Sequence, residues 1–90
     1  MFELLFWPAA DTALAGLEKG GGDKVLAAVR RTLGNLESDP FSPRLGTRQF
    51  DAEEYGHIRM TPCGPASWHV YWLVGEGAQV LEIAAIGNPQ

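Results

Sequence analysis

The stretch from Tyr55 to Ile86 constrains the fold most, because it alternates polar and apolar residues twice and then becomes almost wholly apolar. A period of two places successive side chains on opposite faces of a strand. In Tyr55-Gly-His-Ile-Arg-Met-Thr61, Tyr55, His57 and Arg59 fall on one face and Ile58 and Met60 on the other. In Ser67-Trp-His-Val-Tyr-Trp-Leu-Val74, His69 and Tyr71 share one face, and Trp68, Val70 and Trp72 share the opposite one. Two prolines and a glycine make the connection Thr61-Pro-Cys-Gly-Pro-Ala66 a loop. Gly75-Glu-Gly77 makes a tighter turn, and Ala78 to Ile86 reads as a last strand in a central or well-covered position. The three segments form an antiparallel meander. If their apolar faces align, His57, Arg59, His69 and Tyr71 meet on one polar face, where the sequence suggests chemistry. Alternation alone equally gives a solvated face of ordinary polar residues.

The first half of the chain supplies what covers this sheet. Phe2-Glu-Leu-Leu-Phe-Trp7 is a short apolar run expected to be a buried strand, and Pro8 ends it in a residue suited to the first turn of a helix. Ala9 to Lys19 reads as a short helix with Ala13, Leu14 and Leu17 along one stripe. Gly20-Gly21-Gly22 breaks it. Asp23 is suited to cap a second helix, in which Leu26, Val29, Leu33 and Leu36 recur at spacings of three and four. Gly34 within that helix is expected to fray its last turn or to pack closely on the first helix, and Pro40 ends it after Ser38-Asp39. Phe41 to Glu54 is irregular, pinned to the core by Phe41, Leu45 and Phe50, with room for a short strand from Leu45 to Phe50. The expectation is one α+β domain over residues 1–90. It has an N-terminal strand, an αα-hairpin and an antiparallel three- to four-stranded meander packed on the helices.

Composition sets the limits of function. Ninety residues, 46% of them apolar, suffice for one core without staples, and a single cysteine rules out an internal disulfide framework. No basic leader or membrane-length apolar run is present, so a cytoplasmic protein with no membrane association is expected. The formal charge is −4, and between Phe41 and Arg59 the cations Arg44, Arg48 and Arg59 are balanced by Asp51, Glu53 and Glu54. Tight nonspecific nucleic-acid binding is therefore not expected from charge, although a local positive pocket is compatible with it. His57, Cys63 and His69 match no established zinc spacing, so neither a metal nor another cofactor is expected. No third group can be named to orient a Cys63 nucleophile. The triple glycine follows no strand and precedes no Gly-Lys-Ser/Thr, which excludes a phosphate loop.

In its order of elements and length the chain resembles the RelE/ParE superfamily of bacterial type II toxins. The resemblance lies in Phe2-Glu-Leu-Leu-Phe-Trp-Pro-Ala9, in Asp39-Pro-Phe-Ser-Pro-Arg-Leu-Gly46, and in His57-Ile-Arg59, Trp68-His-Val-Tyr-Trp72 and Ile83-Ala-Ala-Ile-Gly87. It spans almost the whole chain through degenerate motifs. RelE-like members are ribosome-dependent endoribonucleases that cut mRNA and so inhibit translation. The resemblance thus implies a cognate antitoxin, the ribosome and mRNA as partners. It aligns the family's basic strand positions with His57, Arg59 and His69, which become the implied catalytic residues. Arg59 would clamp phosphate and the two histidines would transfer protons, a role imidazole can fill in either direction. Arg44, Arg48 and Tyr71 would assist in substrate binding. The family places an arginine, and often a tyrosine, at or beyond the end of the last strand, where this sequence reads Asn88-Pro89-Gln90. ParE-like members share the fold and inhibit DNA gyrase without hydrolysis. That leaves a gyrase inhibitor, or an inactive toxin-like binding module, as the alternative.

Overall fold

The N-terminal apolar run forms strand β1 (Glu3–Phe6), and Pro8 opens helix α1 (Pro8–Gly20), followed by α2 (Asp23–Ser38). After a 3-10 turn (Pro43–Leu45) come β2 (Arg48–Ala52), β3 (Gly56–Pro62), β4 (His69–Val74) and β5 (Val80–Gly87). This computed structural model describes residues 1–20, 23–54, 56–64 and 67–88. Tyr55 on the polar face, Gly21 and Gly22 of the helix break, Pro65 and Ala66 of the connecting loop, and Pro89 and Gln90 lie outside the described residues.

The strands form a five-stranded sheet in the order β1-β5-β4-β3-β2. The meander, β2 to β5, is antiparallel and has four strands as expected, and the N-terminal strand β1 joins it in parallel with β5, which makes the sheet mixed. The pairing satisfies both apolar segments at once. β5 lies between β1 and β4, and Leu81 and Ile83 are fully buried there. Both helices pack on one face. Ala28, Val29, Leu33 and Leu36 of α2 and Ala10 of α1 form the core with Val70, Trp72, Leu81, Ile83 and Ile86. Ala13, Leu14 and Leu17, the stripe read from the sequence, pack at the border of this core. Among the described residues no helix is long and apolar enough to cross a membrane.

Three local expectations change. α2 runs unfrayed through Gly34 to Ser38, and a Cβ at Gly34 would meet nothing within 4 Å, so this glycine makes no close approach to α1. The short strand begins at Arg48, because Leu45 belongs to the 3-10 turn. Ser42 caps that turn through its hydroxyl to the Arg44 amide at 3.3 Å, and Gly46 ends it at φ 67°. Of the three residues expected to pin this segment, Leu45 packs on the core and Phe41 sets its ring 6.0 Å from that of Phe2 and 6.1 Å from that of buried Trp72 while remaining 55% exposed, whereas Phe50 is 43% exposed on the other face of the sheet.

Candidate active site

One hydrogen-bond network decides which side chains of the meander share a face. Trp72 is fully buried, and a buried indole N–H needs an acceptor. Trp72 Nε1 donates to Thr61 Oγ1 at 2.8 Å, and Thr61 Oγ1 also bonds Thr47 Oγ1 at 2.7 Å. Thr61 is 1% exposed. It reaches the indole because β3 turns Thr61 toward the helices, opposite Val70, with Arg59 opposite Trp72. Alternation then carries His57 and Arg59 to the helix side, while Met60 pairs with Tyr71 and Pro62 with His69 on the outer side.

The expected convergence of four residues is therefore corrected. His57 and Arg59 share one face, and His69 and Tyr71 share the other. The apolar Ile58 and Met60 do not lie against Trp72, since Thr61 holds the position the indole requires. Arg48, paired with Met60, joins His69 on the outer side, where the two line a groove of about 310 Å³ with Gly46, Met60 and Pro62. The His69 and Tyr71 rings lie 6.5 Å apart, and His69 Nδ1 is buried without a hydrogen-bond partner among the described residues. Arg44 is exposed on the 3-10 turn and lines a separate groove with Asn35, Ser38 and Leu45. His57, Cys63 and His69 do not come together: Cys63 is 1% exposed within the core between sheet and helices, and the two histidines belong to opposite faces.

On the helix side, beyond the edge of the core, β2 adds residues that the sequence reading left out. Gln49 lies opposite Arg59 and Asp51 opposite His57. His57 Nδ1–H donates to Asp51 Oδ1 at 2.5 Å in an exposed pair, which leaves Nε2 facing solvent. Two residues along the strand from His57, the Arg59 guanidinium sits 5.3 Å from the Phe41 ring centroid and 5.4 Å from that of Trp72. Two aromatic faces hold such a cation by its ring quadrupoles and leave its N–H edges free. Among the described residues no carboxylate or other acceptor bonds this half-buried guanidinium. The groove beside it, about 350 Å³, is lined by Pro40, Phe41, Ser42, Pro43, Thr47, Gln49 and Arg59. An anion with a planar group attached fits this lining, the charge meeting Arg59 and the plane meeting Phe41. Asp51 and Gln49 were legible in principle, since both alternate with Phe50 in the strand that pairs with β3. Phe41 carried no such signal, because it lies in a loop.

Among the described residues no group of three or more His, Cys, Asp or Glu is placed to hold a metal ion. No protein-family model matches the sequence, and no curated protein does. Solved structures do match. The YoeB/ParE toxin from Agrobacterium tumefaciens superposes with a TM-score of 0.79 at 10% identity, over 99% of this chain and 100% of that one. The YoeB–YefM toxin–antitoxin complex from Staphylococcus aureus matches at 0.74 with 10% identity, over 100% and 99%. The archaeal RelE–RelB complex from Pyrococcus horikoshii matches at 0.69 with 14% identity, over 97% and 93%. End to end, the chain has the fold of the RelE, YoeB and ParE toxins.

Proposed function

We propose that the chain is the toxin of a toxin–antitoxin pair and that it cuts mRNA on the ribosome through the helix-side face of β2 and β3. One observation carries this reading: a guanidinium with no acceptor among the described residues shares a strand face with an imidazole oriented by a carboxylate. In such a reaction His57 Nε2 takes the proton of a ribose 2′-OH. The 2′-oxygen attacks phosphorus, and the bond to the 5′-oxygen breaks. The leaving oxygen takes a proton from the imidazolium or from water, giving a 2′,3′-cyclic phosphate and a 5′-OH. Arg59 donates to the non-bridging oxygens as charge builds on them. Asp51 keeps the imidazole in the tautomer with Nε2 unprotonated and stabilises the imidazolium, as a carboxylate does in a catalytic triad. An antitoxin partner is part of the proposal, supported by fold relatives solved as toxin–antitoxin complexes.

Induced expression of the chain alone tests it. Growth arrest with new mRNA 5′ ends is expected, abolished by His57→Ala or Arg59→Ala and retained in His69→Ala, each checked for folding by circular dichroism. Normal growth with intact mRNA in the presence of soluble protein refutes the reading. Two observations favour a second reading, a non-hydrolytic inhibitor of the gyrase-directed kind. Only one of the two histidines shares a face with Arg59, and the chain has a formal charge of −4. Growth arrest with intact mRNA and loss of gyrase supercoiling activity in vitro would support it.

A further inference from the structure

Eleven carboxylates outnumber seven cations in this chain, yet three of the cations gather in one place. Arg31 on α2 and Arg44 on the 3-10 turn line a groove of about 410 Å³ together with Asn35. Arg48 on β2 and His69 on β4 line the groove of about 310 Å³ on the outer side. Gly46 and Pro62 line both, so the two grooves run into one another at the end of the turn. Gly46 keeps the passage low. It sits at φ 67°, where a side chain is strained, and a Cβ there would lie 3.6 Å from Pro62 Cγ. Among the described residues no carboxylate lines either groove.

All three arginines are exposed, and among the described residues none of them is in an ion pair. Three and four residues from Arg31 along α2 stand Ala27, Ala28, Gly34 and Asn35, so no carboxylate on the helix competes for it. Asp39, in an adjoining groove, makes no ion pair with Arg44. What the channel offers is guanidinium forks along a cleft, the donors that phosphate oxygens take bidentately. Among the described residues neither groove has a Phe, Tyr or Trp in its lining, so the bases of a single strand find none of these rings to stack on. Asn35, whose side chain has no hydrogen bond among the described residues, adds a neutral donor and acceptor, the pair a ribose 2′-hydroxyl can use.

We propose that this channel seats the phosphate backbone of double-helical RNA, with one phosphate at each of Arg31, Arg44 and Arg48. Duplex RNA is recognised by shape, phosphates and 2′-hydroxyls and needs no stacking platform. A local field of three unpaired cations attracts it although the chain as a whole is acidic. His57 and Arg59 lie on the helix side of β3 and take no part. The choice of RNA over DNA rests on the proposed function as well as on Asn35, whereas the phosphate contacts stand without it. The channel then anchors the chain to a folded RNA while the strand to be cut meets the other face.

Fluorescence anisotropy with a labelled RNA hairpin of fully paired stem, free of ribosomes, tests this. Three neutralised duplex phosphates give a log–log salt slope of about −2.7, so affinity is expected to fall about fortyfold between about 50 and 200 mM salt. Arg31→Gln, Arg44→Gln and Arg48→Gln, at exposed positions and checked for folding by circular dichroism, are each expected to weaken binding about fivefold or more at low salt. Each should also make the slope shallower by about 0.9. Arg30→Gln, next to Arg31 but paired with Glu18, is the control expected to bind as the wild type. No binding at about 100 μM protein and 50 mM salt, or a slope shallower than about −1, overturns the proposal. So does a loss of binding in Arg59→Gln that none of the three channel variants shows. Duplex DNA of the same sequence or unpaired RNA binding as tightly as the hairpin overturns it too, as does polyglutamate displacing the hairpin as well as unlabelled hairpin does. Hairpin binding with these slopes, alongside intact mRNA in cells expressing the chain, supports the channel and refutes only the cleavage.

Discussion

Thr61→Val is the substitution that tests the register of the sheet. Valine keeps the shape and strand preference of threonine and removes only the hydroxyl. That hydroxyl accepts from Trp72 Nε1 at 2.8 Å and bonds Thr47 Oγ1 at 2.7 Å. Trp72 has no exposed surface, so its N–H is left buried and unsatisfied, at about 1–3 kcal/mol. Thr47 is half-buried and recovers part of its loss from water, adding about 0.5 kcal/mol. The sum, about 1.5–3.5 kcal/mol, is a large share of the total stability of a domain this size, about 5–13 kcal/mol. It corresponds to a fall in Tm of about 6–28 °C. Urea denaturation followed by far-ultraviolet circular dichroism measures it without relying on tryptophan emission. A cycle with Trp72→Phe isolates the pair: with the indole N–H gone as well, the double variant should be less destabilised than the sum of the singles by about 1–2 kcal/mol. A Thr61→Val protein within about 0.5 kcal/mol of the wild type, or a strictly additive cycle, refutes the claim that this bond selects the face of β3.

Two further outcomes follow from the same packing. Gly34→Ala adds a Cβ that meets no atom within 4 Å inside α2, so it should stabilise the fold by about 1 kcal/mol and raise Tm by about 4–8 °C in a thermal melt. Cys63 is 1% exposed, and burial pushes its thiol above 9.0, with the neighbouring Thr32 side chain opposing that shift. The native thiol should therefore resist alkylation that the urea-unfolded chain undergoes rapidly. Above pH 9.0 the unfolded thiol loses its proton while the folded one retains it. Stability should then fall as pH rises through that range and be regained in Cys63→Ser only in its pH dependence, as read from denaturation midpoints.

The elements were legible because each has its own period. The stripe Val29, Leu33, Leu36 and the alternations in β3 and β4 are local facts, and both helices and the meander appear where those periods run. What a period does not contain is the phase between two strands. Alternation groups His57 with Arg59 and His69 with Tyr71 but cannot say which group lies on the helix side. Matching apolar to apolar gave the wrong pairing, because it set Met60 on the face of Trp72 and gave Thr61 no part in the choice. The indole N–H reverses that preference, since a small hydroxyl that accepts a bond is worth more beside a buried tryptophan than another thioether. The parallel partner of β1 was hidden for a different reason: it is the longest-range pairing in the sheet, and no local pattern in Glu3–Phe6 names β5. Half of the candidate site was visible for the same reasons. His57 and Arg59 stand out on one strand, but Asp51 and Gln49 acquire meaning only once β2 is seen to be the neighbour of β3.

The charge of this site limits how it can hold RNA. Asp51 is hydrogen-bonded to His57, so among the described residues Arg59 is the cation of the cluster that no carboxylate holds. A protein that neutralises about one phosphate of a single strand releases less than one counterion, and its affinity falls only about threefold between 50 and 200 mM salt. The converse is that electrostatics supply little of that affinity, and the chain as a whole, at −4, adds no net attraction. The groove contributes stacking on Phe41, about 1–3 kcal/mol for one base, which alone corresponds to weak binding. Free RNA would therefore be held poorly by the very face whose geometry suits phosphate chemistry. Positioning has to come from a larger assembly that holds the strand and presents it to Arg59 and His57. Under the proposed function, the ribosome named by the sequence resemblance is one assembly that would meet this need.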